Sequence, residues 1–108
     1  MSPTRTIHRA PTVPQIIRAA SIVTGVAESE IVADNRERAT TRARRIAVYV
    51  ARHASAEPAQ FKTLAPFFAS NSRRVNEMST HAELVIVDDD SFREDVARVR
   101  DLLAKGAV

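Results

Sequence analysis

The chain has 108 residues, a formal net charge of +3 and no cysteine. That length suits one domain that buries a core without metal or disulfide staples, and the missing cysteine excludes a disulfide framework and a thiolate metal site. No apolar run approaches the roughly 20 residues of a membrane span, and the amino terminus lacks the apolar stretch of a secretory signal, so a cytoplasmic protein with no membrane partner is expected.

Residues 1–12 show no period and contain two prolines; they are expected to form a flexible arm ahead of a helical domain over 13–105. A first helix is expected from about Pro14 to Thr24, with Pro14 in the first turn and Gly25 as a left-handed cap. Ile16, Ile17, Ala20 and Val23 fall on one face of it. Glu28 to Ala33 makes a short second helix that Asp34-Asn35 breaks. The third should begin at Thr40 or Thr41, either of which can cap it, and run to about His53. Its buried stripe is Ala43, Ile46, Ala47 and Val50, from which Arg44, Arg45 and Arg52 fall away, while Arg36 and Arg38 precede the helix on a loop.

Pro58 opens a fourth helix carrying Phe61, Leu64 and Phe67 or Phe68, and Pro66 should kink or end it, since an interior proline removes a backbone bond and clashes with the preceding turn. After the polar turn Ala69-Ser70-Asn71-Ser72, a fifth helix runs from Arg73 to about Ile86. Leu84-Val85-Ile86-Val87 has strand propensity, but no partner strand exists, so it is taken as helical. Asp88-Asp89-Asp90-Ser91 closes that helix and opens the last. Three carboxylates in a row lack the spacing that wraps a calcium ion and suit the positive end of a helix instead. Phe92, Val96, Val99, Leu102 and Leu103 give the last helix its buried stripe, and Lys105-Gly106 ends it. The sum is an all-α bundle of about six helices. The fourth and fifth, joined by a tight polar turn, have the outline of a helix-turn-helix.

Charge concentrates in the middle of this bundle. Between Arg36 and Arg74 stand nine basic residues against Glu37 and Glu57, while the rest of the chain carries seven basic and eleven acidic ones. Five of the nine lie within Arg36-Glu37-Arg38-Ala39-Thr40-Thr41-Arg42-Ala43-Arg44-Arg45. Arginine's planar fork donates bidentately to phosphate and to guanine edges, so the patch reads as a nucleic-acid contact. Loop arginines suit a minor groove, and arginines at a helix start suit phosphates. In a helix-turn-helix the second helix sets its amino-terminal side chains against base edges; here those are Ser70, Asn71, Ser72, Arg73, Arg74 and, one turn on, Asn76 and Glu77.

The stretch from Arg36 to Arg45, continued by Ile46-Ala47-Val48-Tyr49-Val50, is similar to the basic loop and following helix of the carboxy-terminal DNA-binding domain of the bacterial replication initiator DnaA, a Trp-repressor-like helical fold. Val13 to Val32 resembles the helix pair before it, and the resemblance extends loosely to Leu103. It implies a minor-groove role for Arg36 with Arg38 nearby, phosphate roles for Arg44 and Arg45, and a helix-turn-helix in the major groove. Arg42 belongs to the same basic segment. The family's Phe-Gly followed by Arg-Asp-His-Thr-Thr-Val stands here as Phe68-Ala69-Ser70-Asn71-Ser72-Arg73-Arg74-Val75, so its base readers are replaced and its box preference should be lost.

The expectation is therefore a non-enzymatic, double-stranded-DNA-binding protein located at the nucleoid, acting in replication or transcription control with altered sequence preference. With Gly25 and Gly106 as its only glycines the chain cannot form a Walker loop, and no nucleotide or other cofactor is expected. His8, His53 and His81 lack ligand spacing, so no metal is expected. The second reading is a protein-interaction module on the same scaffold that has lost DNA reading.

Overall fold

A reciprocal cap starts the first helix. In the computed structural model, which describes residues 10–33, 36–56, 60–106 and 108, the Thr12 hydroxyl accepts from the Gln15 backbone N–H, and Gln15 Oε1 accepts from Thr12 N–H at 2.8 Å. This starts α1 (Val13–Thr24), and Gly25 ends it at φ 79° with its N–H donating to Ser21 O. Pro11 O also accepts from Ala56 N–H, which ties residues 11 and 12, at the end of the expected arm, to the domain. Residues 1–9 of that arm lie outside the described residues, as do Asp34-Asn35 and Pro58.

The protein is all-α, with six α-helices and no strand among the described residues. After α1 come α2 (Glu28–Ile31), α3 (Arg38–Ala54), α4 (Phe61–Leu64), a 3-10 turn (Ala65–Phe68), α5 (Ser72–Asp88) and α6 (Asp90–Ala104). Helix α3 is the central element, touching α1, α2, α5 and α6. It starts earlier than Thr40 or Thr41. Glu37 is the N-cap residue, and Thr40 is buried inside the second turn. The reason is tertiary: α1, α2, α5 and α6 bury Thr40, Ala43, Arg44, Ile46, Ala47, Val48, Val50 and Ala51, an arc of about 200° at 100° per residue, far wider than a single stripe.

Pro66 acts as its chemistry dictates. Helix α4 stops at Leu64, the chain tightens into the 3-10 turn with Pro66 in its first two positions, and Ala69 leaves it in the left-handed region at φ 47°. The turn carries Phe68 into the core beside Leu64; each such side chain contributes about 1.5–3 kcal/mol when fully buried. Asn71 then caps α5, its Oδ1 accepting from Arg74 N–H at 2.9 Å. Leu84 to Val87 is helical within α5. Asp89 caps α6 by accepting from Phe92 N–H, and Arg93 reaches back to the Ile86 and Val87 carbonyls, closing α5.

Candidate functional site

Five arginines within ten residues of a helix and its lead-in leave in different directions, and the structure gives them different work. Arg36 stays on the loop and is exposed. Arg38, expected on that loop, sits in the first turn of α3, also exposed. Arg42 turns to α6: its Nη1 lies 2.7 Å from Asp95 Oδ2, its Nη2 donates to Ser91 Oγ, and its guanidinium lies 5.8 Å from the Phe92 ring centre. The Asp95 side chain is 14% exposed, so this contact is better shielded than a surface ion pair.

Arg44 does not fall away from the core as its spacing suggests. It is 7% exposed. Its Nε donates to Ile31 O at 2.8 Å, and its Nη2 donates to Ala33 O at 2.5 Å and Glu30 O at 3.2 Å. A one-turn helix leaves nearly all its carbonyls without intrahelical donors, and a cation at that end answers both the hydrogen bonds and the dipole. Arg44 thus closes α2, a task that helical spacing does not reveal.

Arg45 is the exception among the four arginines on α3 before Arg52. It is half-buried, and its Nε is shut off from solvent with no hydrogen-bond partner among the described residues. Burial pulls its guanidinium below the usual arginine value. Arginine nonetheless remains charged in proteins, so that desolvation stands as an uncompensated cost. The charge is felt by His81, whose pKa burial and then Arg45 lower.

Arg45 lines a concave pocket of about 320 Å³ between α3, the loop before it and the turn before α5. Arg36, Arg44 and Arg74 also line it, as do Thr41, Ser70, Glu77 and Met78. Ser70 repeats the pattern of Arg45: its Oγ is buried and has no partner among the described residues. The pocket thus joins Arg36, Arg44, Arg45, Ser70 and Arg74 of the residues singled out in the sequence. Ser72, Arg73 and Asn76 lie outside its lining, exposed on the first turns of α5, with the Asn76 side chain contacting Thr80. Asn71 is exposed, but its Oδ1 is engaged as the helix cap. Glu77, expected against base edges, also lines the pocket, whereas Thr41 carries no signal in the sequence, because nothing in spacing alone brings α3 against the fifth helix.

Elsewhere on α3, the Arg52 guanidinium lies 4.3 Å from the Phe61 ring centre, and His53 Nε2 meets Glu83 Oε1 at 2.6 Å. Both contacts join elements of the fold. Among the described residues no three His, Asp or Glu side chains converge as metal ligands, and no helix is long and apolar enough to cross a membrane. No family model matches the chain, and no curated protein matches it.

Proposed function

We propose that the protein binds double-stranded DNA without catalysing a reaction, in the manner of the DnaA carboxy-terminal domain but with a different sequence preference, in replication or transcription control. The observation that carries this reading is the convergence of Arg36, Arg45 and Arg74 with Ser70 on one pocket beside the exposed first turns of α5. Cationic forks and helix N-terminal groups gathered on one face are the arrangement that positions a phosphate backbone. Further support comes from the segment from α4 to α5, read as a helix-turn-helix. Ala69 takes the left-handed backbone at the place where the family's pattern has glycine. In this reading Arg36 and Arg38 approach the minor groove, while Ser72, Arg73 and Asn76 face the major groove.

The test is fluorescence anisotropy with a random duplex and a duplex carrying the initiator's nine-base-pair box, at low and moderate salt. Comparable binding to both, steeply weakened by salt, is the expected result. Arg73→Ala should alter the ratio between sequences selected by the wild type, whereas Arg38→Ala should weaken them alike. No binding to either duplex at low salt refutes the reading.

One observation favours the second reading, a protein-interaction module. Leu84 and Val87 are each 68% exposed on α5, near Asp88, Asp89 and Asp90. An apolar ledge with an acidic rim suits a basic, amphipathic protein segment. Leu84→Glu would abolish such a contact and leave DNA binding unchanged.

A further inference from the structure

The buried polar atoms of the arginine pocket call for a ligand more specific than a passing backbone. Two buried polar groups, Arg45 Nε on α3 and Ser70 Oγ on the turn, have no partner among the described residues, and both belong to residues lining the same space. A buried donor left unmade costs about 1–3 kcal/mol, more for a charged group, so a small turn of the Arg45 and Ser70 side chains toward the pocket, where a ligand accepts from both, is favoured. Among the described residues the lining holds Arg36, Arg44, Arg45 and Arg74 against one acidic residue, Glu77, with Arg44 already engaged at the end of α2. Arg74, which lines it, stands in the first turn of the 17-residue helix α5, near the positive end of the helix dipole. The required ligand is small, strongly anionic and rich in acceptor oxygens.

We infer that the pocket between α3 and the turn before α5 is a binding site for a phosphate monoester or inorganic phosphate, seated by Arg45 and Ser70 once Nε and Oγ turn to face it, with Arg36 and Arg74 around it. A terminal phosphoryl group presents three unsubstituted oxygens and near neutral pH approaches two negative charges. That matches several donors converging from different walls. A backbone phosphodiester has two such oxygens and one charge, and carries a sugar on both sides, which hinders its entry into a recess. At about 320 Å³ the pocket is at the low end of small-molecule sites, with room for the phosphoryl group and a small organic remainder.

The binding stands on the pocket alone. Its consequence, that an occupied pocket weakens DNA binding by holding Arg36, Arg45 and Arg74, rests on the DNA reading above.

The experiment is an NMR titration of the full chain, following the Arg45 Nε–H and Ser70 amide signals at constant ionic strength. Inorganic phosphate, methyl phosphate, dimethyl phosphate and chloride are the probes. Saturable shifts with the first two, and none with the last two, are expected. Ser70→Ala should weaken phosphate binding about tenfold and Arg45→Gln more, in line with hydrogen bonds to charged groups; melting temperatures check that both variants fold. Shifts that do not saturate, that chloride reproduces, or that neither variant changes overturn the proposal. Equal binding of dimethyl phosphate also overturns it and assigns the pocket to the DNA diester. Anisotropy with a duplex then separates the two readings. Saturable phosphate binding without DNA binding keeps the pocket and removes the DNA function; DNA binding without saturable phosphate binding does the reverse.

Discussion

Arg44 and Arg45 are neighbours in sequence, and the structure predicts opposite outcomes for the same substitution. Methionine keeps most of the arginine stem and removes the guanidinium, so Arg44→Met removes the bonds to the Glu30, Ile31 and Ala33 carbonyls along with any other guanidinium contact. A hydrogen bond to a charged group is worth about 1.5–3 kcal/mol. Water can reach the carbonyls at the exposed Glu30 and Ala33, while Ile31 is fully buried. The expected loss is therefore about 3 kcal/mol, a large part of the roughly 5–15 kcal/mol that holds a domain folded. It should lower the melting temperature by on the order of 10–20 °C. Arg45→Met removes a half-buried charge whose Nε has no partner among the described residues, so stability should change by less than about 1 kcal/mol in either direction. Urea unfolding followed by helical circular dichroism measures both. Comparable losses, or a loss below about 1 kcal/mol for Arg44→Met, would refute the division of labour drawn here.

The Arg42–Asp95 contact joins α3 to α6, so a double-mutant cycle with Arg42→Ala and Asp95→Ala should return a coupling of about 1 kcal/mol that moderate salt reduces only in part; zero coupling would make the pair ornamental. Ala69 sits at φ 47°, where a side chain costs about 1–2 kcal/mol. Ala69→Gly should therefore leave the melting temperature unchanged or raised, and Ala69→Val should lower it, with the reverse order refuting the strained turn. His81 has its pKa lowered by burial and then by Arg45. Its neutral form contributes stability at neutral pH that is lost as pH falls below about 6.5, where the unfolded chain takes up the proton first. Wild type should lose more stability than His81→Gln between neutral pH and about pH 5, and equal losses would exclude the effect.

Local chemistry in the sequence located the helices well where it acts through nearest neighbours. Pro66, Gly25 and Asp89 stop or start helices through their own backbone and side-chain geometry, and each does so here. Helix α3 starts before Thr40 because threonine's capping preference is weak beside the neighbouring elements packed on this helix, within which Thr40 is buried. The same cause hid Arg44. Its position on the helical wheel lies beyond an apolar stripe drawn from Ala43, Ile46, Ala47 and Val50, yet inside the arc that α2 helps to cover. The pocket was half legible: the arginines announce themselves by type, but the meeting of Arg45 with Ser70 depends on how the turn before α5 lies against α3. No periodicity encodes that.

This separation bears on how charge becomes affinity. Nine basic residues lie between positions 36 and 74, and if all met phosphates, log affinity would fall with log salt at a slope of about −8. Yet Arg42 holds Asp95, Arg44 holds the end of α2, and Arg52 stacks on Phe61. Arg36, Arg38, Arg45, Arg73 and Arg74 lie around the pocket and the start of α5, and Lys62 is exposed on α4; five or six contacts give a slope of about −4.5 to −5.4. A measured slope near the larger value would mean that Arg42 and Arg44 abandon their protein partners on binding, with the helix ends they secure loosening as they go. Binding would then have to lower protection of α2 amides from hydrogen exchange. A slope near the smaller value with α2 still protected would show that the arginines of one helix are divided, by its 3.6-residue turn, between holding the fold and meeting the ligand.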